Sequence, residues 1–222
     1  KKAMAIYCGQ IRYVDDQVGR VLATLESLDL LESTIVLFWS DHGELIGDFG
    51  VTHKIPAFYE CLMRVPLVLW DPTGRVPRGV FSGMVELMDG MATVLDLCGL
   101  PQPKGSHARS LASPSAPRHD IYADAGMLVR QPLEPIPGHI IKGALPPTAF
   151  GPGAMLRTGR WKLCLYGEDQ GELFDLIADP FETRNLFDEH NVTDIKASMM
   201  HRLAQRMMCF GQMPEVLPRQ PI

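Results

Sequence analysis

The stretch Thr34-Ile35-Val36-Leu37-Phe38-Trp39-Ser40-Asp41-His42-Gly43 decides how this sequence is read. Its first six residues form an unbroken apolar run rich in β-branched and aromatic side chains. Such a run is the pattern of a strand covered on both faces, as in a parallel sheet. The run then gives way at once to a hydroxyl, a carboxylate, an imidazole and a glycine. In open parallel sheets ligands gather at the carboxyl ends of strands, where loops diverge and side chains converge. A carboxylate oxygen suits a hard divalent cation, and imidazole tolerates several metals. Two such groups do not fill a coordination shell, so further ligands have to come from elsewhere. Taken alone, the Asp41-His42 dipeptide is better read as a turn cap beside a satisfied loop histidine.

Upstream, Ile11, Val14, Val18, Val21, Leu25 and Leu28 recur every three or four residues and predict an amphipathic helix. A helix leading into a buried strand indicates α/β architecture. Downstream, Gly43, Gly47 and Gly50 break regularity between Ser40 and Lys54. Val65-Pro66-Leu67-Val68-Leu69-Trp70 then predicts a second buried strand, with its proline near the start, where a missing donor matters least. Leu87, Met91, Val94, Leu95 and Cys98 draw another helical stripe, which Gly99 and Pro101 terminate. Residues 101 to 118 read as a surface connection. Residues 131 to 153, with six prolines and four glycines, read as a long irregular loop and a candidate for shaping substrate choice. Met155 to Tyr166 predicts a hairpin turning at Thr158-Gly159-Arg160, and Glu172 to Leu176 predicts a further strand. Ile195, Met199, Leu203 and Met207 predict a closing amphipathic helix.

Composition bounds what this organisation can serve. The 222 residues are 46% hydrophobic and 21% charged, so a packed core is expected rather than disorder. The net charge of −5 is spread along the chain, which argues against a nucleic-acid partner. No run of eighteen apolar residues predicts a membrane span. The five cysteines, at 8, 61, 98, 164 and 209, include no C-x-x-C pair and read as buried free thiols. Free thiols fit a cytoplasmic location, with a periplasmic or secreted one left open. No signal-peptide pattern opens the sequence, which says little because it begins at Lys1 rather than at a methionine.

Several stretches, in order, resemble the sulfatase family of the alkaline phosphatase superfamily. These are Tyr13 to Leu22, Thr34 to Glu44, Gly47-Asp48, Lys54, Tyr59-Glu60, Arg64-Val65-Pro66-Leu67 and Asp89 to Leu95 with Gly99. Arg160-Trp161-Lys162-Leu163, Glu172 to Leu176, Asp179-Pro180 and Glu182 to Leu186 follow. The resemblance runs over roughly residues 7 to 207 and reverses the balance at Asp41-His42. It implies the C-terminal half of an alkaline-phosphatase-like α/β sandwich with a mostly parallel central sheet. A small C-terminal antiparallel sheet with a packed helix follows. Residues 1–120 are then the second half of the catalytic domain, and 121–222 the C-terminal subdomain.

The resemblance also implies roles. Asp41 and His42 match positions that bind a divalent cation, calcium in most sulfatases and manganese or another ion in phosphonate and phosphodiester relatives. Lys54 matches the lysine that contacts sulfate or phosphate oxygens, a role its compact ammonium charge suits. His53 has no assured family role and is carried as a pocket-lining, substrate-binding candidate. The departure is at the nucleophile. The family motif is C-x-P-S-R or S-x-P-S-R, whose first residue becomes formylglycine. None of the five cysteines fits it, and neither does Ser113-Pro114-Ser115-Ala116. The paired acidic ligands of the family's N-terminal part are absent as well. The expectation is therefore part of a sulfatase, inactive alone, whose partners are the N-terminal half of the same enzyme and a sulfated or phosphorylated small molecule or glycan. A homo-oligomer is left open. The alternatives are a phosphonate monoester or phosphodiester hydrolase and, in another class, a non-catalytic scaffold that kept the fold.

Overall fold

The computed structural model describes residues 2–50, 52, 54–55, 57–112, 117–125, 153–167 and 170–210. The loop expected at 131–153 lies almost wholly outside the described residues, as does His53. By contacts the chain divides into two compact units. The first takes in Lys1–Gly74, Ala125–Gly153 and Tyr166–Gln170, and the second Arg75–Asp124, Ala154–Leu165 and Gly171–Ile222. This contact division is a different one from that at residue 120.

In the first unit, helix α1 spans Lys2–Ser27, and strand β1 spans Val36–Trp39. The short helix α2 (Glu60–Met63) and strand β2 (Leu67–Trp70) follow. The expected helix and both expected strands are present. Their direction is not as expected: β1 and β2 pair antiparallel, with Val36 opposite Trp70 and Trp39 opposite Leu67. These two strands therefore form no part of a parallel pair with one another. An apolar run reports that both faces of a strand want cover; it carries no information about direction. Cover is also incomplete: no residue of α1 is buried, and Phe38, Trp39, Val68 and Trp70 are all exposed. The firm packing of this unit lies after β1, in Leu45, Ala57, Phe58, Tyr59 and Leu62. No helix among the described residues is long and apolar enough to cross a membrane.

The second unit holds helix α3 (Met88–Leu97), which ends at Gly99 with φ +68°. A left-handed residue just past a helix favours glycine, so the predicted stop is observed. Four strands follow in sheet order β3-β4-β5-β6. They are β3 (Ile121–Ala125), β4 (Gly153–Arg157), β5 (Trp161–Tyr166) and β6 (Gln170–Asp175). The predicted hairpin joins β4 to β5, and Thr158 N–H donates to the Trp161 carbonyl at 2.8 Å. Helix α4 (Thr193–Phe210) lays Met199 and Leu203 on Ala154, Leu156, Leu163 and Leu173 to make the core.

Two buried ionic groups stiffen this unit. Lys162 Nζ sits 2.6 Å from Glu182, both side chains being almost wholly buried. Arg118 bridges Asp89 and Glu86, with its Nη1 3.2 Å from the latter's Oε2. Glu86 also accepts from Arg206 of α4 and from the Tyr122 amide at the start of β3. The 101–118 segment expected as a surface connection is thus tied inward at its end. Among the cysteines only Cys164 is buried, while Cys8, Cys98 and Cys209 are exposed and Cys61 is intermediate. The buried-thiol expectation holds for Cys164 and fails for Cys8, Cys209 and Cys98, the last being the residue just past the last turn of α3.

Candidate active site

The backbone leaving β1 is shaped by one close approach. Gly43 N–H donates to the Leu62 carbonyl at 2.7 Å, and a Cβ at position 43 would stand 1.9 Å from the Cys61 carbonyl oxygen. Only a residue without a side chain lets the strand exit pass α2 this closely. Ser40 Oγ donates to the His42 carbonyl at 2.8 Å, and Asp41 Oδ1 accepts the His42 amide at 3.0 Å. Together these contacts fix the two residues between strand and turn. Leu45, fully buried, anchors the far side.

The chain then makes an excursion and returns. Ile46 and Thr52 form an isolated antiparallel bridge around Asp48–Gly50, with Phe49 in the left-handed region at φ 52°. Phe49 stacks on the buried Tyr59, ring centroids 4.1 Å apart. The bridge explains how Lys54, twelve residues after His42, comes back beside it: Nζ lies 2.9 Å from His42 Nε2.

The hydrogen bonds assign the imidazole tautomer. A lysine ammonium donates and cannot accept, so Nε2 presents its lone pair. Nδ1 then carries the proton and donates to the Gly43 carbonyl at 2.8 Å. Asp41 Oδ2 is 3.6 Å from Nε2. Asp41 is largely exposed, and the His42 ring is about two-fifths exposed. The structure thus brings together Asp41, His42 and Lys54 from the predicted set; His53 lies outside the described residues. The Gly43 carbonyl and the Phe49–Tyr59 stack were not singled out from the sequence. A backbone acceptor leaves no sequence signal, and aromatic residues at 49 and 59 carry no period linking them.

A groove of about 1330 Å³ runs through the same unit and reaches His42. Tyr7, Ile11 and Val14 of α1 line it, with Phe38 and Trp70 of the sheet. Among the described residues no group of three or more His, Cys, Asp or Glu could hold a metal ion, so Asp41 and His42 form a pair and not a full shell.

A family model described as Sulfatase matches residues 2–100. The arylsulfatase K of Canis lupus familiaris is 30% identical over 198 residues, covering 84% of this chain and 34% of that protein. The chain belongs to the sulfatase family. It spans about a third of the length of the curated sulfatases it matches. Among solved structures, the phosphonate monoester hydrolase from Silicibacter pomeroyi aligns with a TM-score of 0.72 at 26% identity, over 92% of this chain and 40% of that one. A protein solved with its substrate D-glucosamine-2-N,6-O-disulfate aligns with a TM-score of 0.71 at 22% identity, over 90% and 39%. At that identity the likeness is one of fold, and the fold is the alkaline-phosphatase-like α/β type expected of a sulfatase.

Proposed function

We propose that this sulfatase chain contributes Asp41, His42 and Lys54 to a site that hydrolyses sulfate esters with the help of a divalent cation. The observation that carries the proposal is the convergence of the three side chains at the end of β1. His42 Nε2 stands 2.9 Å from Lys54 and 3.6 Å from Asp41. The donors fit a hard ion, calcium first and manganese as the other choice. A carboxylate oxygen and an imidazole nitrogen lie side by side, and the ring is oriented by the Gly43 carbonyl, as ligating histidines commonly are. Such an ion, when bound, withdraws charge from ester oxygens and activates a nucleophile.

The chain's own residues then have separate tasks. Asp41 and His42 hold the cation. Lys54 places a point charge against the anionic oxygens of the transferred group, which gain charge as the ester bond breaks. His53 is proposed to line the same pocket. The nucleophile, expected as formylglycine, and the remaining ligands belong to polypeptide outside this chain, so the chain alone is proposed to be inactive. In this division residues 1–120 serve catalysis and 121–222 form the supporting subdomain. The substrate class is a sulfated small molecule or glycan, in line with the disulfated glucosamine bound by the fold relative.

A second reading, phosphonate monoester or phosphodiester hydrolysis, is favoured by the phosphonate monoester hydrolase that aligns at 26% identity. Both substrates present a tetrahedral centre with charged oxygens, so the same three residues serve either. The test joins this chain to the nucleophile-bearing part and compares an aryl sulfate with a phosphonate monoester. Higher kcat/KM on the sulfate supports the first reading, and higher kcat/KM on the phosphonate selects the second. Turnover of neither contradicts both.

A further inference from the structure

One lone pair on His42 has two claimants. Nδ1–H is committed to the Gly43 carbonyl at 2.8 Å, so Nε2 carries the only in-plane lone pair the neutral ring has left. Lys54 Nζ engages that lone pair at 2.9 Å. A cation coordinated by the ring needs the same electrons, and an ammonium and a metal ion cannot share them. The two positive charges would also repel at such a separation.

Resting on the reading of Asp41 and His42 as ligands, we infer that Lys54 is a displaceable cap on the metal-binding nitrogen of His42. The cap holds the ring in its ligating orientation and keeps the Nδ1–H tautomer. Cation entry requires Nζ to leave Nε2, and the amine so released is the one available to the anionic oxygens of a substrate. Metal loading and arming of the lysine are therefore one event. The consequence has a sign that a purely substrate-binding lysine does not produce. Deleting the amine tightens metal binding while it weakens the grip on the anion. If the cap occupies Nε2 in about nine molecules of ten, its removal tightens the cation by about tenfold, because apparent affinity scales with the competent fraction.

The test uses the protein joining this chain to the nucleophile-bearing part, with Lys54→Met, and Lys54→Ala as a second variant should the first not fold. The first readout needs no metal: the ¹⁵N resonance of His42 Nε2 moves toward that of an acceptor without a hydrogen bond, while Nδ1 stays protonated. The second is Mn²⁺ titration in about 1 M salt, where repulsion between exposed charges is screened beyond roughly 3 Å. The expected result there is a tightening of about 3- to 10-fold. An unmoved Nε2 resonance, or equal Mn²⁺ affinity in parent and variant, overturns the cap and leaves Asp41 and His42 standing as ligands. Absence of Mn²⁺ binding in both proteins, or binding that survives Asp41→Ala, overturns the ligand reading and the cap with it.

Discussion

A methyl group at position 43 would sit 1.9 Å from a backbone oxygen of Cys61, and backbone yields far less readily than the tip of a side chain. Gly43→Ala is therefore expected to push the β1 exit away from α2, break the 2.7 Å bond to Leu62 and carry His42 with it. A loss of about 2 kcal/mol or more in unfolding free energy is the expectation, in the range of strained backbone and lost buried hydrogen bonds. Denaturant titration measures it, and an unchanged midpoint would show that the approach can relax. The role of Gly43 was not legible in the sequence, where it is one of three loop-breaking glycines. Asp41 and Lys54 became candidates only through the ordered resemblance to sulfatases, since a lone strand-end carboxylate and a lone loop lysine read as a turn cap and a solvated side chain. The tautomer of His42 was not legible, since its acceptor is a main-chain carbonyl that any residue could supply.

Among the elements, β4, β5, β6 and α4 are the part best read in advance, while β3 was not predicted. The β4–β5 turn, the β6 run and the α4 stripe all announce themselves by period. What period could not announce is the ionic framework beneath them. Lys162 alternates as an ordinary strand residue, yet its ammonium is fully buried against Glu182. Removing one partner of a buried pair strands the other charge, so Glu182→Gln is expected to cost about 3–5 kcal/mol in unfolding free energy. Replacing both by apolar groups of similar volume is expected to cost far less, and a double-mutant cycle by denaturant titration separates the two.

At the end of β6 the fork of Arg160 grips Asp175 at 2.7 and 3.1 Å and holds its carboxyl below the ordinary range. A carboxylate with a depressed folded pKa stabilises the fold above the unfolded value, near pH 4, and that contribution disappears as pH falls through the folded value. Stability should thus decline on acidification below about pH 5. Arg160→Met should flatten the part of that decline due to Asp175. An unaltered acid slope in the variant, followed by circular dichroism, would assign the decline to other carboxylates.

For the whole molecule, direction of pairing was the expectation that failed, because β1 and β2 run antiparallel. Hydrophobic coverage was read correctly as a demand, and within the described residues the demand is only partly met: no residue of α1 is buried, and a groove of about 1330 Å³ reaches His42. The chain spans about a third of its arylsulfatase relatives, so its three gathered side chains are proposed as a share of a larger site. That share is tested most directly by steady-state kinetics on an aryl sulfate, in the protein joining this chain to the nucleophile, with metal content measured alongside. Asp41→Ala and Lys54→Ala should each lower kcat/KM by about 10²- to 10³-fold, the loss typical of removing one electrostatic contact to a developing charge. The first should also lose its metal, and the second should keep it. Turnover and metal content like the parent's in both variants would contradict the assignment of this site.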